Sequence, residues 1–262
     1  MIQAFRRSKF ASAAVMALSV LIAIVIWFRD RDYPVFVPMI ASVLMLGIGY
    51  FAARILGNVL ANMENTRYLG YLHMELDPDK FLSYYKDVPS RLNPDSTSAA
   101  ICRSYLADGY AAKGDFDSAI ATLRIAPPAD NLPVQGLYAA NLTACYLGKG
   151  DVENANASLQ RLEEVIDACR TSKPELAANL TDSFKLHRQH LRCLTGQAVD
   201  EDWLRSAFER AQYNLRRLEI AKVLAQAALR DGNTAAAKKQ LSFLRKNSGK
   251  TFYKRWADQQ NL

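Results

Sequence analysis

The sequence predicts an all-α protein in two parts: an N-terminal two-helix transmembrane hairpin, then an α-solenoid of about five helical hairpins. Three observations predict it. Phe10–Phe28 and Pro34–Ala53 contain no charged residue, and helical apolar runs of about 20 residues match the hydrocarbon thickness of a bilayer. From about Met63 onward the chain is amphipathic and normally charged, and it repeats a Gly-Asp or Gly-Asn turn between runs of apolar and small residues. No segment alternates with period two for long enough to make a convincing strand. The 262 residues leave room for an anchor plus one or two domains. The expected division is 1–60 for the hairpin, with spans of about 10–28 and 34–56, and 61–262 for the array.

The first span reads as an anchor, not as a cleaved signal. Its flank "RRSK" is basic, but no small-x-small cleavage site follows, and a second apolar run begins directly after "WFRDRDYP". A link as short as Arg29–Tyr33 makes the pair a hairpin whose ends face one compartment. Arg6, Arg7, Lys9 and Arg54 flank those ends, against Arg29 and Arg31 in the link, which alternate with Asp30 and Asp32. Lys and Arg favour the cytoplasmic side and acids count for little, so both termini and the array are expected in the cytoplasm, at an inner or plasma membrane. Trp27, Phe28, Tyr33 and Tyr50 suit interfacial positions. Neither charge-free stretch, Phe10–Phe28 or Pro34–Ala53, offers a charged residue that would mark an ion path. Ala13 and Ala17 form a small-xxx-small pair: either a close helix approach or chance in an Ala-rich helix. Cys102, Cys145, Cys169 and Cys193 are scattered among apolar neighbours, as buried thiols of a reducing compartment are. The sequons at Asn141, Asn156 and Asn179 would matter only on the other side.

The array is visible as a repeat. "YLADGYAAKGDFDSAIATL" is followed by "NLTACYLGKGDVENANASL", with turn glycines Gly114 and Gly150 spaced 36 residues apart. Leu106 and Leu142 precede those glycines by eight residues, and Tyr110 and Tyr146 by four. Ala119 and Ala155 follow by five, and Leu123 and Leu159 by nine. "VLAQAALRDGNTAAAKKQL" repeats the frame through Leu224, Ala228, Gly232, Ala237 and Leu241. The spacing has a physical reason. Leu and Tyr four apart share one helix face. Glycine lets the chain leave the first helix without a Cβ clash. The Asp or Asn behind it caps the next helix. The small alanine lets the two helices pack closely. Leu106, Tyr110, Leu142 and Tyr146 are therefore expected in the shared core, and Arg103 on an exposed face. One such hairpin cannot bury its own apolar face and must stack on a neighbour.

These positions resemble the tetratricopeptide (TPR) repeat. The earlier copy supplies Leu106-Ala107, Tyr110, Gly114-Asp115-Phe116 and Ala119. The later supplies Leu142-Thr143, Tyr146, Gly150-Asp151-Val152 and Ala155. The early Trp of the family pattern is missing and its closing Pro is degenerate, with Pro127 and Pro128 near that place. The resemblance covers 97–168 well and 218–246 loosely. Further hairpins extend the frame: "YLGYLHMELDPDKFLSYYKDV", turning at Asp77-Pro78, and the pair of helices starting near Pro174 and Asp200. The five turns, at Asp77, Gly114, Gly150, Gly196 and Gly232, are separated by 37, 36, 46 and 36 residues.

The resemblance implies a protein-interaction scaffold that presents a groove, lined by the first helix of each hairpin, to protein or peptide partners. In this chain those helices would present Ser104, Asp108, Ala111, Ala140, Ala144, Leu147, Leu186, His190, Glu219, Lys222 and Gln226. The peptide clamp best known in the family uses Lys and Asn where this chain has Ser104 and Asp108, so capture of a free C-terminal carboxylate is not expected. A structural role in assembling a membrane complex is the alternative.

Catalytic motifs are absent. "GYAAKGDF" has Asp115 where a phosphate loop needs Lys, and "SGKT" at Ser248–Thr251 has Leu244 in place of the earlier glycine; neither follows a strand. His187, His190 and Cys193 share one helix face within about 120°. They are the one candidate for a metal-dependent enzyme, against the plainer reading of a polar flank with a buried cysteine. No metal, cofactor or enzymatic activity is expected. Tyr68, Tyr71, Tyr84 and Tyr85 form an aromatic cluster that serves either packing or a lipid-interface belt. The C-terminal end is basic, with Lys238, Lys239, Arg245, Lys246, Lys250, Lys254 and Arg255 against Asp258. It reads as a solvated cap of the array, with anionic-lipid contact as an alternative. No motif supports specific nucleic-acid recognition.

Overall fold

The structure, a computed structural model, describes residues 2–29, 32–260 and 262, with side chains from Lys9 onward. The Arg6 and Arg7 side chains, and Asp30 and Arg31, which enter the charge comparison above, lie outside the described residues. Twelve α-helices and no strand occur among those described. The chain divides into two compact units, Met1–Tyr68 and Leu69–Leu262.

The first unit contains α1 (Ile2–Arg29) and most of α2 (Phe36–His73). Lys9–Arg29 and Phe36–His73 are long and apolar enough to cross a membrane. Large apolar side chains such as Leu21, Val25, Val43 and Phe51 point outward. The two helices meet through small and hydroxyl side chains. Ser12 Oγ donates to the Ala53 carbonyl at 2.8 Å and Ser42 Oγ to the Ala23 carbonyl at 3.2 Å. A Cβ on Gly49 would stand 2.0 Å from Ser19 Oγ. The contact stripe is thus Ser12, Ser19 and Ala23 against Gly49, Ala53 and Gly57, a small residue every four positions on α2. Ala13 and Ala17 are exposed instead: the hydroxyls, which need acceptors once out of water, take the inward face.

The second unit is built mainly of helical pairs. The end of α2 pairs with α3 (Pro78–Tyr85), α4 (Thr97–Lys113) with α5 (Phe116–Thr122), and α6 (Leu132–Lys149) with α7 (Val152–Cys169). Then α8 (Pro174–Leu194) packs back on α7 and α6, α9 (Glu201–Arg210) packs on α10 (Asn214–Arg230), and α10 pairs with α11 (Thr234–Asn247), before a short final α12 (Phe252–Asp258). Local chemistry fixes the turns. Gly114, Gly150, Gly196 and Gly232 take φ of 85, 74, 75 and 70°, the left-handed conformation that carries no Cβ penalty only in glycine. Asp77, Asp115, Asp151, Asp200 and Asn233 then cap the helix that follows each turn by accepting a backbone N–H three residues on.

The small residue beyond each turn is fully buried: Ala119, Ala155 and Ala237 expose nothing. Leu106 is buried, while Tyr110 and Leu142 pack half-buried against Ala119, Leu123 and Tyr138; Tyr146 is half-buried. Arg103 departs from expectation. It is 4% exposed, donating Nε to the Tyr138 hydroxyl and Nη1 to the Pro94 carbonyl, each at 2.9 Å. Its helix is packed by α3, α5 and α6, so the turn that carries Arg103 is largely buried. In the first pair, Tyr85 stacks on Phe81 with ring centres 4.8 Å apart, and Tyr71 lies against Tyr84 at 5.8 Å.

The end of the unit returns to its beginning. The Lys250 amide donates to the Leu76 carbonyl at 3.0 Å, and the Lys250 ammonium meets Asp77 at 2.6 Å. Arg255 donates to the Lys113 carbonyl at 2.6 Å, and Asn214 Nδ2 to the Met74 carbonyl at 2.7 Å. The basic end is therefore not a merely solvated cap. Lys254 and Arg245 both engage Asp258, whereas Lys238, Lys239 and Lys246 stay exposed.

Candidate functional site

A cavity of about 390 Å³ lies among α4, α6, α8 and α10, with Phe252 and Tyr253 of the C-terminal segment on its wall. A volume in the range of a few hundred Å³ is what small ligands or a few side chains of a partner fill. The periodicity of the first helices places its lining. Asp108, Ala111 and Ala112 come from α4, and Leu137, Ala140, Asn141, Ala144 and Gly148 from α6. From α8 come Leu180, Leu186, His187 and His190, and from α10 Leu215, Arg216, Glu219, Lys222 and Val223.

Of the residues expected to face a groove, Asp108, Ala111, Ala140, Ala144, Leu186, His190, Glu219 and Lys222 line this one cavity. Ser104 does not. It is fully buried beneath the wall, where its Oγ and carbonyl accept from Asn141 Nδ2 at 2.7 and 3.0 Å. Leu147 is 1% exposed, and with Gln226 it lines a separate cleft of about 560 Å³ beside α12, which Lys222 also borders.

Two lining groups of opposite charge make no hydrogen bond or ion pair with any described residue: the Asp108 carboxyl and the Lys222 ammonium. Burial, reinforced by the like charge of Glu219, pushes Asp108 up to about 8. Burial pulls Lys222 down to about 8, opposed by Cys193 and Glu219. Lys222 is only 5% exposed. Its Nζ lies 5.5 Å from the ring centre of Phe252 and 5.6 Å from that of Trp256, so its nearest favourable neighbours are aromatic faces. Glu219, in contrast, is paired with Arg216 at 3.0 Å.

The histidines are neutral bases at ordinary pH. Burial, with Arg216 nearby, pulls His187 down to about 3. Burial, Lys222 and His187 hold His190 well below the usual imidazole range. The Gln226 side chain opposes that shift, yet His190 Nε2 and Gln226 Oε1 are both buried without a hydrogen-bond partner. Orphaned polar atoms of this kind cost free energy and mark places where a partner group would be welcome.

The metal reading finds no geometry. No three His, Cys, Asp or Glu side chains gather closely enough to hold a metal ion among the described residues. His187 and His190 face the cavity, but Cys193 packs with Leu186, Leu204, Ile220 and Val223 in the core. Six residues of helix separate His187 from Cys193 by about 9 Å of rise, so a shared face does not bring them together. Sequence reasoning missed Arg216, His187 as a cavity residue, and the aromatic C-terminal wall. The first two lie one turn from predicted positions; the third depends on a fold-back that no local spacing encodes. Compared with known protein families, curated proteins and solved structures, the chain matches none.

Proposed function

We propose that the protein is a membrane-anchored interaction scaffold: a two-helix hairpin holds a TPR-like helical array at the cytoplasmic face, and the array's concave side binds a segment of a protein partner. The observation that carries this reading is the convergence of the first helices on one cavity. Asp108 and Lys222, from helices more than 100 positions apart, both present ionisable groups there that have no hydrogen-bond or ion-pair partner. Burying such groups without partners costs free energy, as an unsatisfied acid for Asp108 and as a charge for Lys222, a cost that a partner's polar and acidic groups would offset. The left-handed glycines, the capping Asp and Asn residues, and the fully buried alanines support the TPR-like frame. The modest excess of basic residues at the outer flanks supports the cytoplasmic placement.

The test is site-specific photo-cross-linking in native membranes. A cross-linker at Ala140 or Ala144 should give a discrete product that is missing when it is placed at Glu163 or Glu164, exposed on α7. Identical products from both faces would sink the groove reading. One dominant, membrane-embedded product would instead point to the assembly of a membrane complex.

A further inference from the structure

The concave face is not open along its whole length, because the chain's own last helix lies on it. Phe252 meets Phe116 edge-on at 5.2 Å, and its Cβ packs so near Gly114 that a Cβ there would approach to 2.8 Å. One turn later Trp256 joins it in covering Lys222. Phe252 and Trp256 stand four residues apart on one face of α12, as two anchors of a helix laid in a groove do. Beside them Tyr253, on the cavity wall, and Ala257 are both buried.

Arg245 ties the end of α12 to α11 through the Ala257 and Gln260 carbonyls at 2.9 and 3.0 Å, but the side-chain ties to the opposite wall are weak ones. The Lys250–Asp77 bridge involves a lysine side chain that is 65% exposed, and the Arg255 guanidinium reaches a backbone carbonyl at the surface. Exposed bridges of this kind contribute little. α12 has only seven residues, and short terminal elements open at lower cost than core helices.

The seat is also incomplete. The rings of α12 cover Lys222 but bring it no acceptor. Gln259, which borders the same cleft as Lys222 one turn beyond Trp256, is neutral. Gln259 is exposed, but Lys222 is 5% exposed, so a competing segment that kept the rings and reached Lys222 with a carboxylate from that point would gain a charge pair that α12 cannot match. A competitor shifts an equilibrium only by such a difference in interaction.

We propose that the concave face is already occupied by the chain's own C-terminal helix, and that the partner displacing it is a short aromatic segment of the same pattern carrying an acidic side chain for Lys222. This rests on the groove reading above and adds the chemistry of its occupant.

The probe is a fluorescent peptide with the sequence of residues 249–262, made with either Gln or Glu at the position of Gln259. The receptor is the full-length chain in detergent or nanodiscs. Wild type should bind both peptides weakly, because a tethered segment competes at an effective concentration of order millimolar. Phe252→Ala with Trp256→Ala should release the seat and tighten binding about tenfold or more, as removal of a self-occupied state does. The Glu peptide should bind the released chain more tightly than the Gln peptide, with steeper salt dependence, and Lys222→Met should erase that difference. If the released chain keeps its amide protection over α4–α11 and binds no better than wild type, the proposal is overturned. Equal binding of the two peptides overturns its acidic part. Should the double alanine variant lose that protection, Lys250→Glu with Arg255→Ala decides: both side chains are exposed, binding should rise several-fold, and no rise overturns the proposal. Failure here with groove-specific cross-links in native membranes would leave the scaffold reading standing. Peptide binding without such cross-links would do the reverse.

Discussion

Arg103 and Tyr138 are joined by a 2.9 Å hydrogen bond from guanidinium Nε to phenol oxygen, linking the first helices of two successive hairpins. The arginine is 4% exposed and its Nη2 has no partner. Truncating it to alanine removes a charged donor and opens a cavity, so Arg103→Ala should cost about 2–4 kcal/mol. Tyr138→Phe leaves the guanidinium partly unpaired and should cost about 1–2 kcal/mol. Chemical denaturation of both variants and of the double variant checks this. A double-variant cost equal to the sum of the singles would mean the bond contributes nothing.

Ala119 exposes no surface and sits where α4 and α5 close on each other. Ala119→Leu adds three heavy atoms without space, an overpacking that costs roughly 1–3 kcal/mol. Because hairpins in such an array stabilise their neighbours, hydrogen exchange should show loosened amides in α6 as well as in α4 and α5. An unchanged melting temperature would contradict the packing.

The two unpartnered ionisable groups of the cavity give opposite pH signatures. Asp108 is raised to about 8, so from about pH 4 to pH 8 the folded chain retains a proton that the unfolded chain releases, and stability falls as pH rises. Asp108→Asn should therefore be more stable than wild type at pH 8, by a few kcal/mol with an upper bound of about 5, the gap closing toward pH 4. Lys222 is lowered to about 8, so the cost of its buried charge is fully present below that pH and fades as pH rises toward the free-lysine value. Lys222→Met should gain roughly 1–2 kcal/mol at pH 7, after loss of the ring contacts, and nothing near pH 10.5. Denaturant midpoints across pH test both; parallel curves for variant and wild type would refute the assignment.

How much of this was legible in the sequence differs by element. The turns were, because Gly114-Asp115, Gly150-Asp151 and Gly232-Asn233 write both the left-handed exit and the next cap in adjacent letters. The buried alanines followed from that frame. Eight groove positions converge because first-helix periodicity carries them to one side. Ser104 was misplaced by a fraction of a turn: neighbours on one helical face divide between cavity wall and helix interface, and Asn141 claims the serine for the interface. Arg103 looked exposed because charge is a poor guide where a long side chain can find a phenol and a carbonyl inside. The return of α12 to α4 was illegible, since it depends on contacts between residues over 130 positions apart.

Topology can be read with fusions. A reporter after Leu262 should be active in the cytoplasm, and one in the Arg29–Tyr33 link should be active on the opposite face. A C-terminal reporter protected by the membrane would reverse the placement and make the sequons at Asn141, Asn156 and Asn179 chemically relevant.

Two glycines on α2 separate the packing of the hairpin from helix propensity. Gly47 and Gly49 are both helical, and Gly→Ala in a helix interior is ordinarily favourable by about 1 kcal/mol. A Cβ on Gly47 meets nothing within 4 Å, whereas a Cβ on Gly49 would stand 2.0 Å from Ser19 Oγ and 2.4 Å from its Cβ. Ser19 Oγ is itself committed to the Val15 carbonyl at 2.9 Å, so moving it aside breaks that hydrogen bond. Gly47→Ala should thus be neutral or stabilising, and Gly49→Ala should push the helices apart. The readout is cross-linking yield between cysteines introduced at Ser12 and Ala53, whose native contact spans 2.8 Å. Yield should hold in the Gly47→Ala chain and drop several-fold in the Gly49→Ala chain. The same yield in both would mean that α1 and α2 do not meet through this stripe.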